Sequence, residues 1–319
     1  MRKITKAIFP VGGLGTRFLP ATKSMPKEML PIANKPIIQY AFEEARKAGI
    51  EQFIFVTGRN KNSIINHFDH SYELESKLDE GQKLSELEQV MGWLPAAGQI
   101  AFIRQKQALG LGHAVWCARN FIGDEAFMVI LADEMLMENK NENKNKNENY
   151  NFLKSMIDFY QTKESKSSVI AVAEIAPKDS SKYGIIAYEN NSKKIIDMIE
   201  KPNPKDAPSN LAMIGRYILQ PEIFGYLENC PKGSGGEIQL TDAMKMMNRF
   251  PLSRGSELSR SKAERNDGGA NFPFYYQKYN GKRFDCGNVL GYLEANIAYN
   301  LMDEKIKNEV SEMLRKFIK

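Results

Sequence analysis

"FPVGGLGTRFLPATKSMPKEMLPI", residues 9–32, joins a short apolar lead to three glycines in four positions, a string of cations and then Pro-Lys-Glu-Met. With the residues before it the lead completes "KAIFPV" (6–11), a continuously apolar run that reads as a buried strand. The glycines point to a backbone that comes close to something. The cations Arg17, Lys23 and Lys27 point to that something being negative. A strand followed by such a loop is one end of an α/β unit, and the rest of the chain repeats the theme.

"QFIFVTG" (52–58), "IAFIRQ" (100–105) and "AFMVILAD" (126–133) are further buried strands, bounded by Gly, Asp or polar residues. Between them "KPIIQYAFEEARKAG" (35–49) predicts a helix, with Pro36 near its first turn and Gly49 at its end. "LGHAVWCARNFIG" (111–123) predicts another. Strand and helix in alternation predict a mixed, mostly parallel Rossmann-like sheet with helices on both faces. After residue 165 the pattern changes. "SSVIAVAEI", "YGIIAYE", "KIIDMIEK" and "LAMIGRYIL" follow closely, with few helices between, which predicts a smaller antiparallel extension. "PEIFGYLEN" and "EIQLTDAMKMMNRF" then read as helices. The tail "DEKIKNEVSEMLRKFIK" sets Ile306, Val310, Met313, Leu314 and Phe317 on one helical stripe, suited to packing on its own domain or on another subunit.

Two stretches carry no core pattern. "NKNENKNKNENYN" (139–151) and "PLSRGSELSRSKAERNDGGAN" (251–271) are polar and of low complexity, and are expected to be mobile surface loops without chemistry.

The 319 residues suffice for a sizeable core, and 44 basic against 39 acidic residues imply no nucleic-acid-binding stripe. Cys117, Cys230 and Cys286 are far apart and form no CxxC pair, so neither a zinc site nor a disulfide framework is expected. The N-terminal apolar stretch is too short for a signal peptide and no run is long enough to span a bilayer, so a cytoplasmic location is expected.

Three phosphate loops compete for "VGGLGTRF". A Walker A string is absent. A dinucleotide fingerprint lacks its third glycine, since Gly13-Leu14-Gly15 is followed by Thr16-Arg17-Phe18, and Pro20 and Pro26 disfavour an immediate helix. A loop whose amides face a nucleotide while cations reach its phosphates remains, beside the plain alternative of a glycine-rich turn with solvated cations.

"GLGTRFLPATKSMPKEMLPIANKPIIQY" closely resembles the signature of the sugar-1-phosphate nucleotidylyltransferases, and "PKEMLP" with "KPIIQY" resembles their bacterial UTP–glucose-1-phosphate uridylyltransferase branch. "VTGRNKNSIINHFD", "RQKQALGLGHAV", "VILADE", "YGII", "EKPNPKDAPSNLAMIGRYIL", "GEIQLTDA" and "GKRFDCGN" resemble the same family, in its order, across all but the two polar insertions. The resemblance implies one GT-A-like nucleotidylyltransferase domain over residues 1–302 and a C-terminal helix over 303–319, with the antiparallel extension binding sugar. It implies transfer of uridylyl from UTP to glucose 1-phosphate, giving UDP-glucose and pyrophosphate. No protein nucleophile is needed, because the attacking phosphate oxygen is already ionised.

By the same resemblance, Arg17 and Lys27 hold the triphosphate in an exposed cleft and Lys201 binds the sugar's phosphate. Gly12, Gly13, Gly15, Glu28, Gln105 and Gly110 are nucleotide-binding, with Gln105 able to pair with both an oxygen and an N–H of uracil. Gly184, Glu200 and Glu237 match sugar-binding positions. Asp133 and Asp285 match metal positions, and two carboxylates with phosphate oxygens suit Mg²⁺. Asp133 ends an apolar run, as a ligand at the carboxyl end of a strand would; an isolated Asp there also serves as a helix cap. Glu134 is the poorer candidate, since alternate strand residues face opposite ways. His67 and His70 stand three apart but lack a third ligand, Cys286 has no base spaced for it, and Trp93 and Trp116 read as packing. A homo-oligomer, dimer or tetramer, is expected. A thymidylyltransferase of the same family and a non-catalytic nucleotide-sugar sensor are the rivals. The sensor would be marked by loss of Arg17, Lys27 or an aspartate, and all are present.

Overall fold

The computed structural model describes residues 3–138, 151–249 and 272–317; the two polar insertions lie outside the described residues, apart from Asn151. From β1 (Lys6–Val11) the chain passes through three short 3-10 turns (Thr16–Phe18, Ala21–Lys23 and Lys27–Met29), which suits a segment punctuated by Pro20 and Pro26. The two-residue strands β2 (Pro31–Ile32) and β3 (Lys35–Pro36) then pair and lead into α1 (Ile37–Lys47). β4 (Gln52–Thr57) is followed by α2 (Asn62–His67), α3 (Tyr72–Glu80), α4 (Leu84–Met91) and β5 (Ile100–Arg104). α5 (Leu111–Cys117) and α6 (Arg119–Ile122) return the chain to β6 (Phe127–Ile130), with β7 (Glu134–Met137) next. Then come α7 (Phe152–Gln161), β8 (Ser168–Glu174), β9 (Gly184–Tyr188), β10 (Ile195–Glu200), β11 (Leu211–Leu219), α8 (Ile223–Glu228) and α9 (Leu240–Arg249). β12 (Phe274–Lys278), β13 (Lys282–Asp285), α10 (Val289–Asn300) and α11 (Lys307–Phe317) complete the described chain.

Among the described residues the main sheet runs β10-β9-β11-β6-β1-β4-β5, with β8 on β11 and β12 on β8. β5, β4, β1 and β6 are mutually parallel; β11 turns antiparallel against β6 and begins the second half. The fold is thus an α/β mixed sheet, parallel on one side and largely antiparallel on the other. Both faces are buried, as continuously apolar strands require: Ile8 and Ile54 enter one core cluster, and their neighbours Phe9 and Phe55 enter the other. α1 buries Ile37, Ile38, Ala41, Phe42 and Ala45 on one stripe and gives way at Gly49, whose φ of 95° suits a residue without a side chain. None of the described helices is long and apolar enough to cross a membrane.

Two expectations are corrected. The helix expected over 111–123 is two helices, broken at Ala118. The Arg119 guanidinium lies 3.5 Å over the Trp116 ring and donates to the Trp116 carbonyl, a group that the next helical turn would have used. The strand expected over 126–133 stops at Ile130, where Leu131 N donates to Gly215 O at 2.9 Å. Asp133 therefore sits in a turn between β6 and β7, not on a strand.

Candidate active site

The loops after β1, β4, β5 and β6 lie at the same edge of the sheet, because parallel strands present their carboxyl ends together. The chain leaves β1 outward to β4 and β5, then returns to β6 on the other side, so β1 and β6 flank a topological switch point. Gly12 follows β1, and a Cβ there would stand 2.9 Å from Gln105 Oε1. A side chain here would push on the end of Gln105, where this loop meets the one after β5. Gly15 adopts a left-handed φ of 67°, whereas Gly13 has space around it.

Four charged residues converge beyond this edge. Lys27 Nζ stands 2.5 Å from Asp133 Oδ2. Arg17 Nη1 reaches Gly287 O at 3.4 Å, and Gly287 N donates to Asp285 Oδ1 at 2.9 Å. A methyl group at Gly287 would lie 2.9 Å from Asp285 Oδ1, 3.1 Å from Asp133 Oδ2 and 3.6 Å from Arg17 Nη1, so Gly287 marks where they meet. The aspartates are brought together by a small antiparallel ladder of β13 on β7, in which Asp285 pairs with Glu134 and Cys286 N donates to Asp133 O at 2.8 Å. Burial pushes the Asp133 carboxyl up, but the Lys27 charge and hydrogen bond outweigh it and hold the group below its usual range. Burial likewise disfavours charge on Lys27, and Asp133 and Glu28 more than restore it. Lys27 is part-buried, not in an exposed cleft as expected; Arg17 is exposed.

Two carboxylates open to the same point are a donor set that a hard divalent cation accepts when water and phosphate oxygens complete its shell. Among the described residues no group of three or more His, Cys, Asp or Glu could hold a metal on its own. Glu134, opposite Asp285 in the ladder, is buried beside Arg283 at 3.5 Å, and burial raises its carboxyl to about 8.

A second group lies where β9 starts and β10 ends. Glu200 Oε2 accepts from Thr241 Oγ1 at 2.7 Å, and a Cβ at Gly184 would come within 3.1 Å of that same oxygen. Lys201, with φ 47°, follows immediately, its Nζ 3.3 Å from Glu200 Oε1. Glu237 packs against Gly110, whose built Cβ would come 2.7 Å from the Glu237 Cβ. Gly184, Glu200 and Lys201 are thus one cluster; Glu237 lies apart from these contacts, against the loop after β5.

Two sequence-assigned side chains behave differently from expectation. Glu28 is 2% exposed and ion-paired with Lys61 at 2.7 Å, its carboxyl pushed up by burial. Its side chain fixes the loop from within. The Gln105 amide nitrogen is 3.1 Å from Gly110 O and 2.9 Å from His113 Nδ1, so it has no proton left for a base, and only Oε1 can pair. Thr241, Gly287 and Lys61 were not singled out from the sequence; a threonine and a glycine carry no pattern of their own, and a lysine defaults to the surface. Of the discounted residues, His67 contacts Gln39 and His70 contacts Glu75, so they do not share a ligand position. Cys286 is fully buried, with burial raising its thiol pKa, and Trp93 packs on Phe42 and Phe68.

A glycine loop at a switch point, cations facing paired aspartates, and a carboxylate-hydroxyl cluster beside them define a transferase class that handles nucleoside phosphates. The chain belongs to the nucleotidyl transferase family, whose model matches residues 6–299. It is 44% identical over 313 residues to the UTP–glucose-1-phosphate uridylyltransferase of Bacillus subtilis, covering 97% of this chain and 96% of that one. Among solved structures it resembles a UTP-bound UGPase from Acinetobacter baumannii (TM-score 0.80, 36% identity, covering 98% of this chain and 99% of that one). It also resembles a UDP-glucose pyrophosphorylase complexed with UDP-glucose (TM-score 0.73, 41% identity, covering 93% and 98%).

Proposed function

We propose that this chain transfers the uridylyl group of UTP to α-D-glucose 1-phosphate, giving UDP-glucose and pyrophosphate. The observation that carries the reading is the convergence of Arg17, Lys27, Asp133 and Asp285 beside Gln105. The family and the relatives' names support the substrates.

An oxygen of the sugar phosphate attacks the α-phosphorus of UTP in line. The bond from that phosphorus to the bridging oxygen breaks, and pyrophosphate leaves with the electron pair. Arg17 and Lys27 offset charge growing on the leaving group, and Lys201 holds the attacking phosphate. Gly184, Glu200 and Glu237 bind sugar hydroxyls, which are donors that carboxylates accept. Gly12, Gly13, Gly15 and Gly110 bring backbone to the nucleotide, Gln105 meets the base, and Glu28 supports the loop through Lys61. Members of this family generally use a divalent metal; here Asp133 and Asp285 would hold Mg²⁺, which neutralises phosphate charge when bound.

The same reading takes residues 1–302 as one catalytic domain and 303–319 as an appended helix, supported by the family match ending at 299. Three free cysteines support a cytoplasmic location. Met313 and Phe317, 48% and 81% exposed on α11, support a homo-oligomer, dimer or tetramer. Pyrophosphate release, measured with each of four nucleoside triphosphates crossed with several sugar 1-phosphates, tests the function. UTP with glucose 1-phosphate is expected to be fastest. Higher turnover with dTTP would move the chain to the thymidylyltransferases, and no turnover with any pair would make it a sensor.

A further inference from the structure

Gln105 sits just past β5, and its amide is gripped from two sides. The nitrogen end is 3.1 Å from Gly110 O and 2.9 Å from His113 Nδ1. A carbonyl oxygen can only accept, so the end facing Gly110 must be the NH₂. The second amide proton then points to His113, which makes Nδ1 the bare ring nitrogen and places the ring proton on Nε2. The imidazole is itself held. It stacks on Trp116 with centroids 5.8 Å apart, Arg119 covers that indole, and the Cys117 sulfur lies 3.8 Å from Nδ1. Burial and the Arg119 charge both lower the His113 pKa, favouring the neutral ring that can accept. The other end of the amide, Oε1, receives no hydrogen bond from a described residue and is not sealed inside the protein. It lies beside Gly12, 2.9 Å from where a Cβ would stand, and so faces the glycine loop.

We propose that His113 is a positioning residue for base choice: together with Gly110 it consumes both amide protons, so that Gln105 offers the base an acceptor alone. This rests on the reading that Gln105 meets the base, and goes beyond it by assigning the amide its direction and the residue that sets it. The consequence is a donor–acceptor test. Uracil carries a proton on N3 and can give it to Oε1. Cytosine has a bare N3 between O2 and its 4-amino group, so in uracil's pose two lone pairs would face one another, and only a shifted base could pair with Oε1 through the amino group. Size cannot make this distinction, because both are one-ring bases. Thymine shares uracil's N3–H, so the device is blind to the C5 methyl group.

The test is competition between UTP and CTP, and separately between UTP and dTTP, with glucose 1-phosphate and Mg²⁺, read as kcat/KM ratios. Wild type should prefer UTP over CTP by about a hundredfold or more, as expected when a buried polar group is left without a partner. His113→Phe keeps a flat ring on Trp116 but lacks the acceptor; it should lower the UTP/CTP ratio by about tenfold while leaving UTP/dTTP within about twofold. His113→Asn, whose Oδ1 can replace Nδ1 as acceptor, should restore the UTP/CTP ratio, and keeps the test open if the phenylalanine variant misfolds. An unchanged UTP/CTP ratio in a folded His113→Phe overturns the proposal, as does an equal fall in both ratios or a His113→Asn variant that fails to restore selectivity. Gln105→Leu separates the layers. If it leaves UTP/CTP unchanged, the base-contact reading itself falls; if it abolishes selectivity while His113→Phe does not, that reading stands and only the role of His113 is lost.

Discussion

Lys27 Nζ and Asp133 Oδ2 form a 2.5 Å ion pair between the glycine-rich loop and the turn after β6. The cation assigned to the triphosphate and a carboxylate assigned to the metal are therefore direct partners. Each holds the other's charge where a phosphate and a divalent ion would meet. Lys27→Ala should lower kcat by about a hundredfold or more, since it removes a preorganised charge from the leaving group. It should also lower the Mg²⁺ concentration for half-activity, because Asp133 loses its competing cation, whereas Asp133→Asn should raise it. Measured Mg²⁺ titrations that move both variants in the same direction would separate the pair from metal binding. The double variant should cost less than the two losses multiplied, as for groups that act together.

Gly287 is the meeting point of Asp285, Asp133 and Arg17, with a built Cβ within 2.9–3.6 Å of all three. Gly287→Ala should depress kcat by about tenfold or more through misplacement alone, since small displacements in positioned sites are costly. Its melting temperature should change little, because the crowded atoms are ends of side chains. A variant with wild-type turnover would show that the three groups need not converge.

Arg216 is 1% exposed and all five of its N–H donors are engaged: Nε and Nη2 reach Glu44 at 3.3 and 2.7 Å, Nη1 reaches Leu131 O and Gly215 O, and Nη2 also reaches Glu134 O at 2.8 Å. It brackets the turn that carries Asp133. Arg216→Met leaves Glu44 without its ion-pair partner and removes a donor from three carbonyls, of which Gly215 O keeps Leu131 N and Leu131 O keeps Glu134 N, and should destabilise the fold by about 3–5 kcal/mol in denaturant titration. Arg216→Lys restores charge but not the planar fork, so it should recover stability only in part. Equal stability of the lysine variant and wild type would reduce the role of Arg216 to its charge.

His67 supplies a pH test. Its Nε2 is 3.1 Å from Gln39 Oε1, its ring lies on Trp93, and burial lowers its pKa below the usual value. The unfolded chain therefore binds this proton at higher pH than the folded chain does. The contribution is fully present above the unfolded value of about 6.5, and is lost as pH falls from there towards the folded value. His67→Gln cannot titrate, so its melting temperature should fall less than wild type's between pH 7.5 and 5.5, a window set around the reference value of about 6.5. Parallel curves would assign the acid sensitivity elsewhere.

Eight of the nine described strands of the main sheet were legible as short, mostly apolar runs, all but β12, and α1 was legible because five of its buried residues share one stripe. α3 and α4 were not, and the reason is physical: neither buries a residue, and Tyr72 and Leu84 are 83% and 61% exposed. β7 and β13, four residues each, are too short to register as a periodic pattern. Of the site, the glycine loop and its cations stood out by composition. The pairing of Asp133 with Asp285 came from family resemblance alone, since no local rule links residues so far apart. The direction of the Gln105 amide depends on a histidine eight positions along, a relation that only the break after α5 and the stacking on Trp116 make visible.

The β7–β13 ladder also governs how this chain tolerates change in length. Asp133 precedes one polar insertion and Asp285 follows the other, yet their separation is set by strand register, Asp285 opposite Glu134. The register is fixed by hydrogen bonds between the two strands, so the number of residues that join them does not enter the separation of the aspartates; the entropy of closing a connection in any chain grows only slowly, by about 0.6 kcal/mol for each doubling of its length. The carboxylates keep their spacing by rungs and not by counting residues.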